Sequence, residues 1–448
     1  MNRIVIGITG PIGSGVSTTA KAFAKNGFKL LKVSDAIREE QQARKVTGNS
    51  TGIISSDSGS AKSKKRIPKA DGQSKGKLDF DKGQNDRRAM QDLGNELRES
   101  EPAYWIDRIL KAASVLNAEG QIADRATNLV IESIRNPREA EFLLNLFAPN
   151  FFLIAIQASW TTRWARIRTQ YGGQENLFSR DDSRDTDEDL PHGQQVDRCV
   201  NQADYAYVNE KDKGASAKQL EGIWKELETD LKLMRFANQP YRSKSEDVRD
   251  ASRDEVAMAV AYAQSHQSAC LKRHVGAVIV DANGLPLSVG FNENPIGMEP
   301  CKIGLKHCFK DEEMHKTLEN RANVKCPACG ADHPKLESPW KCCKCQENLK
   351  LYFFPSRNME LCTAIHAEER AIRSLGDRSA RDATIYTTTF PCFQCSRYIV
   401  DAGIKRVVYV EAYPVVQAVE FLKMNNVKLE PFNGFKARAF NLVFKPVN

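Results

Sequence analysis

No apolar run in this 448-residue chain comes near the roughly 18 residues that a membrane-crossing helix requires. The longest candidate, Phe151 to Ile156, reads as a buried strand, so no membrane partner is expected. A secretory leader is equally wanting: the opening stretch Ile4 to Ile8 is too short for its apolar core and runs straight into glycines. Without a leader, the 12 cysteines are expected to stay reduced and to bind metal, which predicts a cytoplasmic protein. Nor is there a basic strip interleaved with aromatics, the pattern by which proteins track single-stranded nucleic acid. The 65 basic and 57 acidic residues leave a formal charge of +8, an excess that suits polyanionic small substrates or RNA and demands neither. The length predicts two or three domains with sizeable cores.

Two short motifs carry chemistry: His366-Ala367-Glu368 and Pro391-Cys392-Phe393-Gln394-Cys395. One imidazole and two thiolates can hold Zn²⁺ and leave a fourth position for water, whose pKa falls to roughly 7 in such sites. Glu368 is set beside the ligand His366 as the carboxylate that moves protons, a general acid/base role. Residues 365–375 place Ile365, Ala371, Ile372 and Leu375 at helical spacing, with His366 at the opening turn. Cys392 and Cys395 stand in the first turn of another predicted helix, where the peptide dipoles favour thiolate. In the competing reading the two cysteines are a structural zinc half-site or a redox pair, and His366 is an ordinary core histidine. The preceding proline, the threonine-rich strand 383–388 and the upstream His-x-Glu must then coincide by chance. Together the motifs resemble the metal site of zinc nucleobase deaminases.

Near the other end, Arg3 to Thr9 alternates into a strand. Gly10, Gly13, Ser14, Gly15, Val16, Ser17 and Thr18 follow as a glycine-rich turn opening a helix, which is P-loop order. The glycines let backbone N–H groups face phosphate oxygens, and Ser17 or Thr18 can reach Mg²⁺. Val16 stands where a P-loop kinase has the lysine that bridges the outer phosphates. The loop is therefore expected to bind a nucleotide or another phosphate ligand without phosphoryl transfer. Leu129 to Glu132 reads as a buried strand whose terminal acid either holds magnesium through water or merely closes the strand. With Ser34-Asp35, Arg98, Ile134 to Pro137, Arg163 to Arg168 and Ala203-Asp204-Tyr205, residues 1–240 are similar to nucleoside monophosphate kinases and dephospho-coenzyme A kinases. That resemblance implies a P-loop domain with a three-layer α/β sheet. Residues 47–86, dominated by Ser, Gly, Lys and Asp, have the composition of a flexible insert.

Residues 250–448 alternate helix and strand in the order of the cytidine deaminase fold, an α/β/α arrangement, with an Asp281-Ala282-Asn283-Gly284 hairpin turn between two strands. Val275 to Val280, Gly290-Phe291-Asn292 and the two metal motifs make this half resemble the deoxycytidylate deaminases. With the P-loop half in front, the whole is similar to the bacterial antiphage dCTP/dCMP deaminases. In that family Asn292 would contact the nucleoside, and Tyr413 falls in the matching Glu-x-Tyr-Pro segment. Glu293 stands where those enzymes commonly have glycine, and Val415 and Val416 where a basic residue is common. An insert at about 300–358 carries Cys326, Cys329, Cys342 and Cys345, two C-x-x-C knuckles that read as a zinc ribbon holding a second, structural Zn²⁺. Cys343 offers a rival ligand there. Cys301, Cys308 and Cys362 are either buried small hydrophobes or contributors to a metal site.

The leading expectation is hydrolytic deamination of a free deoxycytidine nucleotide through Zn²⁺, His366, Cys392, Cys395 and Glu368. A phosphate ligand at the P-loop, a homo-oligomeric state and a regulatory RNA or phage factor complete the expected partners. The alternatives are a deaminase acting on RNA or single-stranded DNA and a nucleotide-sensing or RNA-sensing regulatory protein.

Overall fold

Strand β1, Val5–Thr9, is buried at all five positions, as are β3, Leu129–Glu132, and β4, Phe151–Gln157. Continuous burial of this kind belongs to the middle of a parallel sheet. In the computed structural model β1 pairs in parallel with β3 (Val5 opposite Leu129) and with β4 (Val5 opposite Phe151). Parallel pairs add β2, Lys29–Lys32, beside β3 and β5, Tyr205–Val208, beside β4. The described residues are 3–47, 89–186, 191–211, 216–236, 249–327, 329–336, 340, 342–344, 349, 361–410 and 416–444. The expected flexible insert at 47–86 lies outside them, apart from residue 47. Ile4, Ile6 and Ile8 share one core with Ala20 and Phe23 of helix Val16–Lys25 and Leu227 and Leu231 of helix Ala217–Phe236. Helices Pro137–Phe147 and Val196–Gln202 pack against β4 without joining that core.

The chain divides into two compact units, Met1–Ala251 with Phe432–Asn448, and Ser252–Pro431. The expected second domain, 250–448, differs from this division in its last residues, which group with the first unit. Four strands open the second unit: β6, Gly276–Val280, β7, Pro286–Phe291, and, in the insert, the hairpin of β8, Ala322–Lys325, and β9, Asp332–Lys335. Then come β10, Thr384–Thr387, β11, Arg406–Tyr409, and β12, Lys428–Pro431. The chain next returns to the first unit, where β13, Gly434–Phe435, pairs antiparallel with β5. The reason is burial: Phe435 is fully enclosed and meets Tyr205 edge-on at 5.0 Å. Beside it the buried Lys436 Nζ donates to the Val200 and Asn201 carbonyls at 2.6 and 2.9 Å, near the end of helix Val196–Gln202. Carbonyls at a helix C-terminus carry negative partial charge that suits an ammonium. The first sheet thus runs β13-β5-β4-β1-β3-β2.

The second unit has its own sheet, ordered β12-β11-β10-β6-β7, with β6 antiparallel to both neighbours and β10, β11 and β12 parallel. Helix Arg253–Ser265, started by a Ser252–Glu255 capping box, packs on β6. Helix Ala367–Arg373 packs so closely on β7 that a Cβ at Gly290 would overlap the Ala367 carbonyl oxygen. Glycine there brings the start of the helix down onto the sheet. Among the described residues no helix is long and apolar enough to cross a membrane.

Candidate active site

His366 and Cys392 each stand in extended backbone immediately before a helix, His366 before Ala367–Arg373 and Cys392 before Phe393–Asp401. The two helix starts bring three donor atoms together. His366 Nδ1 lies 3.3 Å from Cys392 Sγ and 3.4 Å from Cys395 Sγ, and the three fall within 4.8 Å of one another. Cys392 Sγ also accepts the Cys395 N–H at 3.5 Å. Glu368, only 3% exposed, has Oε2 3.6 Å from Cys395 Sγ. An imidazole and two thiolates converging this way form a donor set for Zn²⁺, with the carboxylate alongside.

The electrostatics follow from burial and crowding. Burial pushes the Glu368 carboxyl up to about 7, with the His366 charge pulling the other way. Burial works against the charged His366, yet its bond to Cys392 and the charge of Glu368 win and raise it to about 9. The two thiols share a proton unevenly. The hydrogen bond from Cys395 draws Cys392 down, and the same bond together with burial holds Cys395 up. A divalent cation here would deprotonate both sulfurs.

Asn292 does not reach openly into this cluster. Its Oδ1 accepts the Val275 N–H at 2.7 Å and its Nδ2 donates to the Arg273 carbonyl at 2.9 Å, so both polar atoms staple the end of β7 to the start of β6. Tyr413 lies outside the described residues. In the insert, Cys326, Cys329 and Cys342 converge within 4.8 Å, Cys329 and Cys342 being 3.6 Å apart, while Cys345 lies outside the described residues. His333, Cys342 and Cys343 form a rival grouping in which Cys343 is exposed.

In the first unit the loop from Gly10 to Gly15 folds back on itself, the Ser14 N–H donating to the Pro11 carbonyl at 3.1 Å. Gly15 has a φ of 105°, and a Cβ there would overlap the Asn209 side-chain nitrogen. Ser17 Oγ donates to Glu132 Oε1 at 2.6 Å, and Glu132 Oε2 is buried without a partner among the described residues. Gly10, Gly13, Gly15, Val16, Ser17 and Thr18 line a cavity of about 310 Å³. Ser14 is buried beneath it. Arg166 also lines that cavity and donates to the Gly13 and Ser14 carbonyls at 3.1 and 3.0 Å. Lys211 was invisible as a site residue from sequence because nothing local marks it, yet it lines the same cavity. A second cavity of about 410 Å³ shares Ile12, Ser133 and Arg135 with the first.

Residues 251–411 match the family described as "Cytidine and deoxycytidylate deaminase zinc-binding region". That segment contains His366, Glu368, Cys392 and Cys395. The deoxycytidylate deaminase of Saccharomyces cerevisiae is 29% identical over 182 residues, covering 40% of this chain and 45% of that protein. The deoxycytidylate deaminase of Enterobacteria phage T4 is 27% identical over 200 residues, covering 42% of this chain and 93% of its own. The chain therefore spans less than half the length of the yeast relative. Among solved structures, dCMP deaminase from the cyanophage S-TIM5 in complex with dCMP and dUMP aligns with 22% identity and a TM-score of 0.25, covering 40% of this chain and 95% of that one.

Proposed function

We propose that this chain is a zinc-dependent hydrolase that deaminates free deoxycytidine nucleotides, dCMP or dCTP, to the deoxyuridine forms. The observation that carries the reading is the convergence of His366, Cys392 and Cys395 beside the buried Glu368. The relatives' names, all deoxycytidylate deaminases, supply the substrate class. His366, Cys392 and Cys395 would hold the ion, and a bound Zn²⁺ lowers the pKa of water so that hydroxide is available near neutral pH. Glu368 accepts the water proton, passes it to the ring nitrogen of cytosine and then serves the departing ammonia. Burial raises its carboxyl above the ordinary carboxylate range, which suits a group that must both take and give a proton. Asn292 positions substrate indirectly, by fixing the β6–β7 edge. A four-thiolate ribbon, with Cys345 as the fourth ligand, would hold the structural zinc.

The first unit is read as a P-loop domain that binds a nucleotide or another phosphate ligand, with Mg²⁺ between Ser17 and Glu132. Glu132 Oε2, without a partner among the described residues, supports that reading. The same proposal makes the protein a cytoplasmic homo-oligomer that deprives an infecting phage of deoxycytidine nucleotides. A phosphate ligand, an RNA or a phage factor would control it. Ammonia release by the purified chain from dCMP, dCTP and a deoxycytidine oligomer tests the core of the idea. Turnover of a free nucleotide and not of the oligomer is expected, and activity confined to the oligomer would replace this reading with polynucleotide deamination.

A further inference from the structure

On the reading of the first unit as a P-loop domain, we propose that Arg166 supplies the glycine loop with the positive charge missing at Val16. The charge comes from beneath the loop and not from its tip, so the loop holds a phosphate ligand without driving its transfer.

Helix Trp160–Ile167 starts at Ser159, whose Oγ accepts the Thr162 N–H at 3.2 Å. Arg163 and Arg166 stand three residues apart on it and therefore share a face. Both are buried, which costs free energy unless their donors are met. The carbonyl side of the glycine loop meets them. Arg163 Nη1 donates to the Ile12 carbonyl at 3.0 Å, and Arg166 Nη1 donates to those of Gly13 and Ser14 at 3.1 and 3.0 Å. The Ser14 N–H takes the Pro11 carbonyl, so the carbonyls from Pro11 through Ser14 are each turned to a donor. Carbonyl oxygens facing the cavity would repel a phosphate. In a trans peptide the N–H points opposite to the carbonyl, so pinning the Ser14 oxygen also sets the direction of the Gly15 N–H.

The two arginines spend their charge differently. Arg163 forks onto Asp182, its Nη1 and Nη2 donating to the two carboxylate oxygens at 2.6 and 2.9 Å. Arg166 Nε donates to the Lys211 carbonyl at 3.0 Å, and its Nη2 to the Asn209 carbonyl at 2.8 Å, to Asn209 Oδ1 at 3.3 Å and to the Lys211 carbonyl. Neutral oxygens orient a guanidinium without cancelling its charge. Arg135 and Lys211 line the same cavity, paired with Asp185 and Glu226 respectively. Arg166 is the cation seated on the loop itself. A P-loop lysine reaches the outer phosphates and stabilises the charge that develops there during transfer. A guanidinium fixed from below by bonds to Gly13, Ser14, Asn209 and Lys211 cannot follow that charge, so binding survives and turnover does not.

Isothermal titration calorimetry of the full-length protein with ATP and GTP, each with Mg²⁺, and with inorganic tripolyphosphate tests this role. Wild type is expected to bind at least one of these probes. Arg166→Met should bind it at least about tenfold more weakly, the effect of one unit charge near a phosphate at a half-buried site. Adding Val16→Lys to Arg166→Met should restore most of that loss, since it returns the charge without the carbonyl bonds. No binding by wild type removes the P-loop reading itself. Binding by wild type that Arg166→Met leaves unchanged overturns the role of Arg166 alone. So does failure of Val16→Lys to restore the Arg166→Met protein, because Arg166 would then only brace the backbone. Should Arg166→Met not fold, Arg166→Lys decides: it keeps the charge and should stay within about tenfold of wild type. Folded Arg166→Lys protein that binds none of the probes overturns the assignment.

Discussion

Replacing Glu368 by glutamine separates proton transfer from metal binding, because it keeps the side-chain volume and removes the titrating oxygen. The wild-type carboxyl is buried, with Oε2 3.6 Å from Cys395 Sγ and its pKa pushed to about 7 by lost hydration. Glutamine in this space carries no charge to desolvate, so folding should be undisturbed or slightly favoured. What disappears is the group that carries protons between water, ring and ammonia. Positioned general acid/base groups contribute roughly 10²- to 10⁴-fold. At about 1.4 kcal/mol per decade that is about 3 to 6 kcal/mol of barrier. Ammonia release from dCMP should therefore fall by at least about a hundredfold, while zinc measured on the same preparation stays at the wild-type level. His366→Ala is the counterpart and should lose zinc and activity together. A glutamine variant that keeps most of its turnover, or that loses a zinc in folded form, would refute the assignment of Glu368 as proton carrier.

Three other outcomes are expected. Cys326→Ser should lose one zinc and lower the melting temperature, since the ribbon cysteines sit in a small cluster with Leu318, Val324, Leu336 and Trp340 that has little else to hold it. Unchanged melting and zinc would remove the ribbon. The purified chain should bind a nucleotide with little ATP or GTP hydrolysis, because Val16 supplies no charge to the outer phosphates; Gly15→Val should abolish that binding by forcing a side chain onto Asn209. Robust hydrolysis that Ser17→Ala eliminates would contradict this. Burial lowers the Lys436 amine from 10.5 to about 7, so between those values the unfolded chain binds more protons than the folded one. Stability then rises with pH across that window and is lost as pH falls toward 7. Urea unfolding should show this slope in wild type and a flatter one in Lys436→Met, and equal slopes would discard the buried amine as its source.

The features legible in the sequence are those whose geometry is set within a few residues. His-x-Glu at a helix start and a proline followed by C-x-x-C are short local motifs, so the converging donors could be picked out through their resemblance to the metal site of zinc deaminases. Strands buried on both faces, such as Phe151–Gln157, announce themselves as unbroken apolar runs. Pairings across long separations leave no such mark. The return of Gly434–Phe435 to β5 is a two-residue strand with no period to detect, and its driving force, the closure of Phe435 over Tyr205, joins positions far apart in the chain. Asn292 was legible as a candidate substrate contact, but its hydrogen bonds to Arg273 and Val275 depend on where β7 ends against β6.

The return of the chain to β5 also orders events at the ribosome. Strand β5 emerges about 225 residues before Gly434, and at roughly 5–20 residues per second that is an interval of roughly 10 to 45 s. Throughout it the nascent first unit presents β5 as a bare edge, with the seat for Phe435 vacant. An exposed edge strand invites pairing with other chains. Translation that stops anywhere in the second unit would release a product with that edge still open, so premature termination should yield aggregating fragments and not a free-standing first unit.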